Sequence, residues 1–475
     1  MDEAPRRRRE KPGQTRYPIV SDVSGTARWL EPSADMASRR NLWLACLIAL
    51  TALLVIGNLA SDVGLDVKYG WDTRVNCAAV DAYAGGLDPY FVKNLKGTKL
   101  SYPYLPVTLE AFRPFCADGI LVAHYKTIFP VLAVLCGLLL PGLGLPGLGL
   151  PGLGVPGLGR ARPSARDVGL RVLCALGAFV GFEWVQASGN FAILSGVLTA
   201  IALRLLLSPP ASGAAEDRSF PSRLAGAALL GLVMSFKLVF FPVLAALYFL
   251  PLPRRRKLML IAMAVFSFAL PILISRLAYP DLFASWQLAV AGKIPDQHLV
   301  ELFESNPSLL LLARDLMGHV GLIDSKPAIF ATYAFAVTAL VLVPFALSIL
   351  RLIGSRPAHE GDSLPARVDR WLMDHPRAAM RITVLAMFAL YLSSPRLKEY
   401  AFFELALYAA ILLVDLPARA LAAALTVGLL MPSLIFVTGS SPEDNSIQLF
   451  SALMFFWVLL LDARHAGRVP DTVQL

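Results

Sequence analysis

Acidic, aromatic and turn-forming residues are concentrated in the polar segment that follows the first long apolar stretch of the chain. This segment contains the runs YGWDTR (69–74), DAYAGGLDPY (81–90) and YPYLP (102–106). Aromatic rings pack against sugar faces, a carboxylate accepts a proton from a hydroxyl, and nearby cations bind phosphate. The segment therefore indicates a site for an amphiphilic polar substrate. An ordered loop with interfacial aromatic residues is the simpler alternative.

Asp72 is the candidate for acid–base chemistry in this segment. Its alternative role is that of a helix N-cap, a position at which Asp is favoured. Asp88 lies in the run LDPY, which is typical of a turn. Lys237 lies inside an apolar stretch, where a charge is costly without a partner, and Glu183 is its candidate counter-ion.

A basic cluster occurs late in the chain, in the run SPRLKEY (394–400). Arg396 and Lys398 are candidate phosphate ligands, and a solvated loop in which they pair with Glu399 is the alternative. The histidines His124, His298 and His319 share no metal-ligand spacing, and we expect neither a metal nor another cofactor.

Composition shows what kind of protein must position these residues. Of the 475 residues, 56% are hydrophobic and 16% are charged, and the mean hydropathy is +0.61. A soluble globule cannot bury that much apolar surface. Apolar windows of about 20 residues, the length that crosses a bilayer, recur from Leu42 to Leu461. The net charge is +9, but the basic residues lie in short loops between these windows, where they orient helices, so we exclude nucleic-acid binding.

We therefore predict an all-α, polytopic integral membrane protein with about ten to twelve transmembrane segments and both ends in the cytoplasm. The predicted parts are a disordered basic tail (1–40), a transmembrane domain (41–462) with outer loops 61–118 and 279–326 and a cytoplasmic insert 141–166, and a second tail (463–475). The predicted spans are 42–59, 120–140, 168–185, 191–207, two halves of 224–250, 258–277, 328–352, 382–392, 402–416, 421–437 and 447–461. We expect short interfacial helices in the second outer loop. Pro and Gly punctuate every turn of the insert, which predicts a flexible linker.

The apolar stretch from Leu224 to Leu250 has basic residues at both ends, Arg223 and the run RRRK (254–257). A single crossing would place one basic end outside, against the charge rule. We therefore predict two half-spans that meet near residues 235–237, a broken hairpin with the Lys237 cation buried at its apex.

Five cysteines follow no metal-ligand spacing. Cys46, Cys136 and Cys174 lie in apolar windows, where a small buried thiol is the ordinary interpretation. Cys77 and Cys116 both fall in the first outer loop. An oxidising compartment would allow a disulfide between them, and the sequence leaves a bridge and two free thiols both open.

Several of these motifs together resemble a known family. Asp72 is followed after fourteen residues by GLDPY (86–90) and then by a Tyr-Pro-rich turn. This pattern resembles bacterial glycosyltransferase family 87, which includes polyprenol-phosphate-mannose-dependent α-1,2-mannosyltransferases of the GT-C fold. Further matches follow in order, namely Gly189-Asn190, Lys237, NPSL (306–309) and Ser394-Pro395, so the resemblance extends from Leu42 to about Leu416.

The chain departs from the family pattern at three places. Many relatives continue the late motif to a histidine, whereas this chain reads SPRLKEY (394–400). The usual Tyr-Pro-Pro is the looser YPYLP (102–106), and Asn190 stands where Gln is usual. The reaction class implied by the resemblance is unaffected, but these departures bear on the sugar and the acceptor.

The resemblance implies roles for individual residues. Asp72 matches the catalytic aspartate, which would act as general base in an inverting transfer through an oxocarbenium-like transition state. The leaving lipid phosphate requires fixed cations, for which the candidates are Lys237, Arg396 and Lys398, with Arg74 a weaker one. The other candidate substrate-binding residues are Asp88, Tyr90, Tyr102, Asn190 and Asn306.

The resemblance also implies partners and a location. The partners would be a polyprenyl-phosphate-sugar donor, a lipid or glycan acceptor and membrane lipids. The location would be the bacterial inner membrane, with the site facing the periplasm or exterior.

A transporter or flippase of a lipid-linked or polar substrate is the main alternative, since it would also use a broken helix and an intramembrane cation. An arabinosyl or other pentosyl transferase is a second alternative.

Overall fold

The computed structural model describes residues 34–63, 70–142, 164–207, 216–294, 306–354, 363–437 and 446–466, and over these ranges the chain is helical without a β-strand. The chain divides into two compact units, 1–46 and 47–475. Of the first unit, the structure describes the beginning of α1. The site lies in the second unit. The predicted tails lie mostly outside the described residues, as does most of the predicted insert.

The α-helices are α1 (Ala34–Val63), α2 (Trp71–Ala84), α3 (Val107–Cys116), α4 (Ile120–Leu139), α5 (Ala165–Gly177), α6 (Gly181–Ser188), α7 (Ala192–Leu207), α8 (Glu216–Ser235), α9 (Arg254–Ala278), α10 (Pro280–Val290), α11 (Leu309–His319), α12 (Lys326–Val337), α13 (Val343–Gly354), α14 (Leu364–Asp374), α15 (Pro376–Leu392), α16 (Phe402–Leu413), α17 (Ala418–Leu425), α18 (Met431–Val437) and α19 (Ser446–Ala466). Short 3-10 segments lie at Val92–Asn94, Ala117–Gly119, Ala178–Val180, Leu238–Phe249 and Glu399–Ala401, and π-helical turns lie at Thr338–Leu342 and Thr426–Leu430. Several boundaries differ from the prediction, and three helices, α1, α5 and α19, extend beyond their apolar windows into residues predicted as tail or insert.

Among the described residues, six helical stretches are long and apolar enough to cross a membrane: 42–60, 120–139, 165–188, 254–278, 326–353 and 418–435. Shorter apolar helices cover 192–207, 238–249 and 446–462. These helices support a membrane-embedded, polytopic, all-helical protein. The predicted total of ten to twelve segments stays a prediction.

The third candidate span is broken where α5 meets α6. Phe179 and Val180 have φ angles of 55° and 54°, a left-handed backbone conformation that residues other than glycine rarely adopt. The side-chain amide of Gln448 donates a buried hydrogen bond of 2.8 Å to the Phe179 carbonyl oxygen. A break inside a membrane helix requires such a partner, because lipid offers none. The break ends with α6, which leads directly to the site.

The predicted break near residues 235–237 coincides with the end of a helix. α8 ends at Ser235, and the following 3-10 segment begins at Leu238, with Lys237 as its extended N-cap residue. The 3-10 segment packs against α8, α9 and α15. Lys237 therefore sits at a junction between two apolar elements, and its side chain is partly buried.

α9 makes polar contacts near both of its ends. Near its first residues, the buried Lys257 ammonium lies 2.7 Å from Asp369 Oδ1, which compensates its charge. Near its last residues, Ser275 Oγ accepts a hydrogen bond of 3.3 Å from the backbone N–H of Val107, in the first predicted outer loop. At 1.5 Å per residue, these two contacts lie about 27 Å apart along the helix, close to the thickness of a bilayer core.

The first predicted outer loop contains α2 and α3, and a disulfide between Cys77 and Cys116 joins them. The bridge that the sequence left open is thus present in the structure. The second predicted outer loop contains α10 and α11, which agrees with the short helices expected there.

Candidate active site

Asp72 lies in the first turn of α2, and the N-cap of that helix is Gly70. Asp72 is therefore not the N-cap residue that the alternative interpretation required. Gly70 has φ 80°, and a Cβ atom at this position would lie 2.8 Å from the Tyr125 ring. Its backbone N–H donates a hydrogen bond of 2.9 Å to the carbonyl oxygen of Ala187. The start of α2 is thus held closely against the end of α6.

The link between α6 and α7 orients the Asp72 carboxylate. Asn190 Nδ2 donates a hydrogen bond of 2.7 Å to Asp72 Oδ2, and Asn190 Oδ1 accepts one of 2.7 Å from the backbone N–H of Ala192. The neighbouring Thr73 hydroxyl donates to the Gly189 carbonyl oxygen over 2.5 Å. Asn190 is therefore a direct partner of Asp72, a more specific role than the substrate contact predicted for it.

Burial and charge act on Asp72 in opposite directions. Burial raises the pKa of this carboxyl above its usual value, and the hydrogen bond from Asn190 lowers it. The positive charges of Lys398 and Lys237 also lower it. A carboxylate whose pKa is raised is a stronger base, and one that has cationic neighbours can still ionise.

Lys237 brings its charge to this site from the break after α8. Its Nζ lies 4.0 Å from the centroid of the Tyr400 ring, a cation–π contact. Glu404 in α16 is its strongest electrostatic partner, followed by Asp72. The sequence had indicated Glu183 as the counter-ion, and Glu183 is instead fully buried in α6.

The segment 394–399 carries the remaining charged groups, and the predicted second outer loop holds it in place. Asn306 Nδ2 donates a hydrogen bond of 3.4 Å to the Pro395 carbonyl oxygen, and Ser308 Oγ donates one of 3.1 Å to the same oxygen. Asn306 itself is only 3% exposed. Asn306 therefore positions the segment that carries Arg396 and Lys398.

The ionisable groups of this segment depend on one another. Burial lowers the pKa of the Lys398 ammonium, whereas the neighbouring Glu399 raises it. Glu399 is also buried, and burial raises its pKa to about 7. The Asp72 carboxylate adds to this increase. Asp72, Lys398 and Glu399 thus form one electrostatic cluster.

Three predicted substrate-binding residues form the framework of the first outer loop. Asp88 Oδ1 accepts a hydrogen bond of 2.9 Å from the backbone N–H of Tyr90, as in an Asx-turn. The buried Tyr90 hydroxyl donates one of 2.7 Å to the Tyr104 carbonyl oxygen. The buried Tyr102 hydroxyl lies 2.5 Å from Thr108 Oγ1. In the described part of the chain, these three hydrogen bonds are internal to the loop.

Tyr104 is a site residue that the sequence analysis did not select from the YPYLP run. Burial raises the pKa of its hydroxyl, and the Asp72 carboxylate raises it further, while Asn190 and Arg396 act in the opposite direction. No local pattern selects it, because residues two apart in an extended run share a face, whereas Tyr102 is buried and Tyr104 partly exposed. Tyr104 is thus the tyrosine of this run on which the Asp72 charge acts.

Within the ranges that the structure describes, no three His, Cys, Asp or Glu side chains come together as candidate metal ligands. Comparison of the chain with family models, curated proteins and solved structures gave no match. A proposal about function therefore rests on the arrangement of the residues at this site. This arrangement combines an oriented carboxylate, three cationic side chains and a partly exposed tyrosine.

Proposed function

We propose that this protein is a membrane glycosyltransferase that moves a hexose, with mannose as the proposed sugar, from a polyprenyl-phosphate donor to a hydroxyl of a lipid- or glycan-linked acceptor. The observation that carries the proposal is the Asp72 carboxylate, oriented by Asn190 beside the cations Lys398 and Lys237. A base next to fixed cations suits a reaction in which a hydroxyl loses its proton while a phosphate leaves.

The proposed step is a single displacement with inversion. The acceptor oxygen forms a bond to the anomeric carbon while the bond from that carbon to the phosphate oxygen breaks. The acceptor proton passes to the Asp72 carboxylate, and the electron pair of the broken bond leaves with the polyprenyl phosphate. Lys237, Lys398 and Arg396 bind this phosphate both in the donor and in the departing polyprenyl phosphate. Asn190 holds the base in position.

The proposed location of the site is the outer face of a bacterial inner membrane, in a GT-C-like arrangement of about ten to twelve segments. Asn306 contacts the segment that contains Arg396, and the charge of Arg396 acts on Tyr104 beside Asp72. The two predicted outer loops and the segment 394–399 are thus adjacent. The basic residues Arg254 to Lys257 lie at the other end of α9, which supports the proposed orientation.

The direct test is to incubate the purified protein with radiolabelled polyprenyl-phosphate-mannose and a membrane lipid extract. We expect a labelled product that depends on the lipid extract and is lost in Asp72→Asn. Label transfer from a pentosyl donor alone would assign the enzyme to the pentosyl transferases. Uptake of a lipid-linked substrate into proteoliposomes without label transfer would contradict the proposal and favour a transporter.

A further inference from the structure

A cavity lies beside the proposed site, among α7, α8, α15, α16 and the 3-10 segment Leu238–Phe249. Its lining is mostly apolar, including Met234 and Phe240, but the side chains of one basic and one acidic residue also line it, Lys237 and Glu404. Charges in an apolar wall are costly unless they are compensated. This pair therefore calls for an explanation beyond packing.

Glu404 is held rigidly inside the protein. Its residue is only 5% exposed, and the hydroxyl of Thr199 in α7, which is fully buried, donates a hydrogen bond to Glu404 Oε1. Glu404 is also the strongest electrostatic partner of Lys237. A buried carboxylate with one neutral donor is costly without a cation nearby, and the Lys237 side chain lines the same cavity.

Unlike the Glu404 carboxylate, the Lys237 ammonium lies at the end of a flexible four-carbon side chain, which does not fix its position. The Tyr400 ring restrains the ammonium, because its centroid lies 4.0 Å from Lys237 Nζ. A cation–π contact limits the distance of the ammonium from the ring but directs no hydrogen bond. The buried Glu404 carboxylate, which Thr199 holds in place, adds an electrostatic attraction on the Lys237 ammonium.

We propose that Glu404, supported by Thr199, is a positioning residue that keeps the Lys237 ammonium charged and directed for binding the phosphate of the donor. The inference rests on the proposed function, because it assigns a purpose to the same cation. Glu404 acts through Lys237 and not on the phosphate directly, since two anions in contact would repel. Its loss therefore weakens donor binding and leaves the chemical step nearly unchanged.

The test combines Glu404→Gln with Lys237→Met in a double-mutant cycle on the KM for the polyprenyl-phosphate-mannose donor. Gln keeps the shape of Glu404 and its acceptor oxygen for Thr199, and removes only the charge. We expect each single variant to raise the donor KM about tenfold, with kcat at saturating donor within about twofold, and the double variant to be no worse than Lys237→Met. Thr199→Val should raise the donor KM in the same direction by a smaller factor.

A matched control is Glu110→Gln, which removes one carboxylate from the partly exposed pair with Arg113 and should leave both constants unchanged. Binding of geranylgeranyl phosphate, a probe without a sugar, provides a readout that needs no turnover. An unchanged donor KM in Glu404→Gln, or effects of the two substitutions that multiply, would overturn the inference. If the probe binds with the expected coupling but no sugar is transferred, the inference stands and the proposed transfer fails.

Discussion

The amide of Asn190 donates a hydrogen bond of 2.7 Å to the carboxylate of Asp72, a residue 118 positions earlier in the chain. The same amide accepts a bond from the backbone N–H of Ala192 at the start of α7. Because both ends of the amide are engaged, its orientation is determined, and it fixes one oxygen of the carboxylate. This contact joins the first predicted outer loop to the helical bundle at the proposed site.

Asp72→Asn should slow the chemical step by about a hundredfold or more, because it removes the proposed base while keeping the size of the side chain. Donor binding and folding should persist. The measurement is single-turnover label transfer at saturating donor. Asp81→Asn, an exposed position in the same helix, is the control and should retain the wild-type rate. A folded Asp72→Asn protein with near-wild-type turnover would contradict the role of Asp72.

Asn190→Ser should shift the acidic limb of the kcat/KM profile to higher pH. The Asn190 hydrogen bond lowers the pKa of Asp72, so its loss raises that pKa and the base is protonated at a higher pH. Serine is too short to reach Asp72, but its hydroxyl can still accept a bond from a nearby backbone N–H, as Asn190 does from Ala192. A pH profile that does not move, in a variant of unchanged stability, would mean that this bond does not tune the base.

Glu399→Gln should make thermal stability less sensitive to pH. Burial raises the pKa of Glu399 from 4.5 to about 7, so between these values the folded state binds the proton more strongly than the unfolded state. This contribution to the free energy of unfolding therefore decreases as pH rises through the window. We expect the Tm of the variant relative to wild type to increase from pH 5 to pH 8. If the Tm difference between the variant and wild type stayed constant from pH 5 to pH 8, the raised pKa of Glu399 would be contradicted.

The Cys77–Cys116 bridge should appear as a linked peptide in a non-reducing mass map of protein prepared without reductant. Replacing both residues by serine should lower the free energy of unfolding by about 2–4 kcal/mol, because the bridge restricts the unfolded chain. Cys136→Ser, at a buried free thiol, is a control that should leave the linked peptide in place. Finding Cys77 and Cys116 as free thiols would refute the bridge.

The orientation of the protein can be tested by cysteine labelling in intact cells, in a background that lacks the exposed Cys46. Thiols introduced at Lys93 and Asp324, both exposed in the predicted outer loops, should react with an impermeant reagent. A thiol at Arg255, exposed at the other end of α9, should react only after permeabilisation. The reverse pattern would invert the proposed topology and move the site to the cytoplasm.

Much of the architecture could be predicted from local patterns. The helices at 120–139 and 326–353 lie within a few residues of predicted spans, because hydropathy over one window is sufficient to identify a helix that faces lipid. The break before Lys237 could be located because basic residues flank the stretch on both sides. The left-handed break at Phe179 could not, because nothing local favours it and its partner is Gln448.

The sequence by itself determined that the chain is a helical membrane protein and that Asp72 is the leading candidate base, because hydropathy, charge bias and motif order are properties of neighbouring residues. Only the tertiary structure decided which residues surround that base. It brought Asn190 into contact with Asp72, assigned Tyr102 to the framework of the loop, and placed Lys237 where the Glu404 charge acts on it more strongly than any other. These choices depend on how helices pack against one another, and side chains more than a hundred residues apart carry no local signal of the contact they will make.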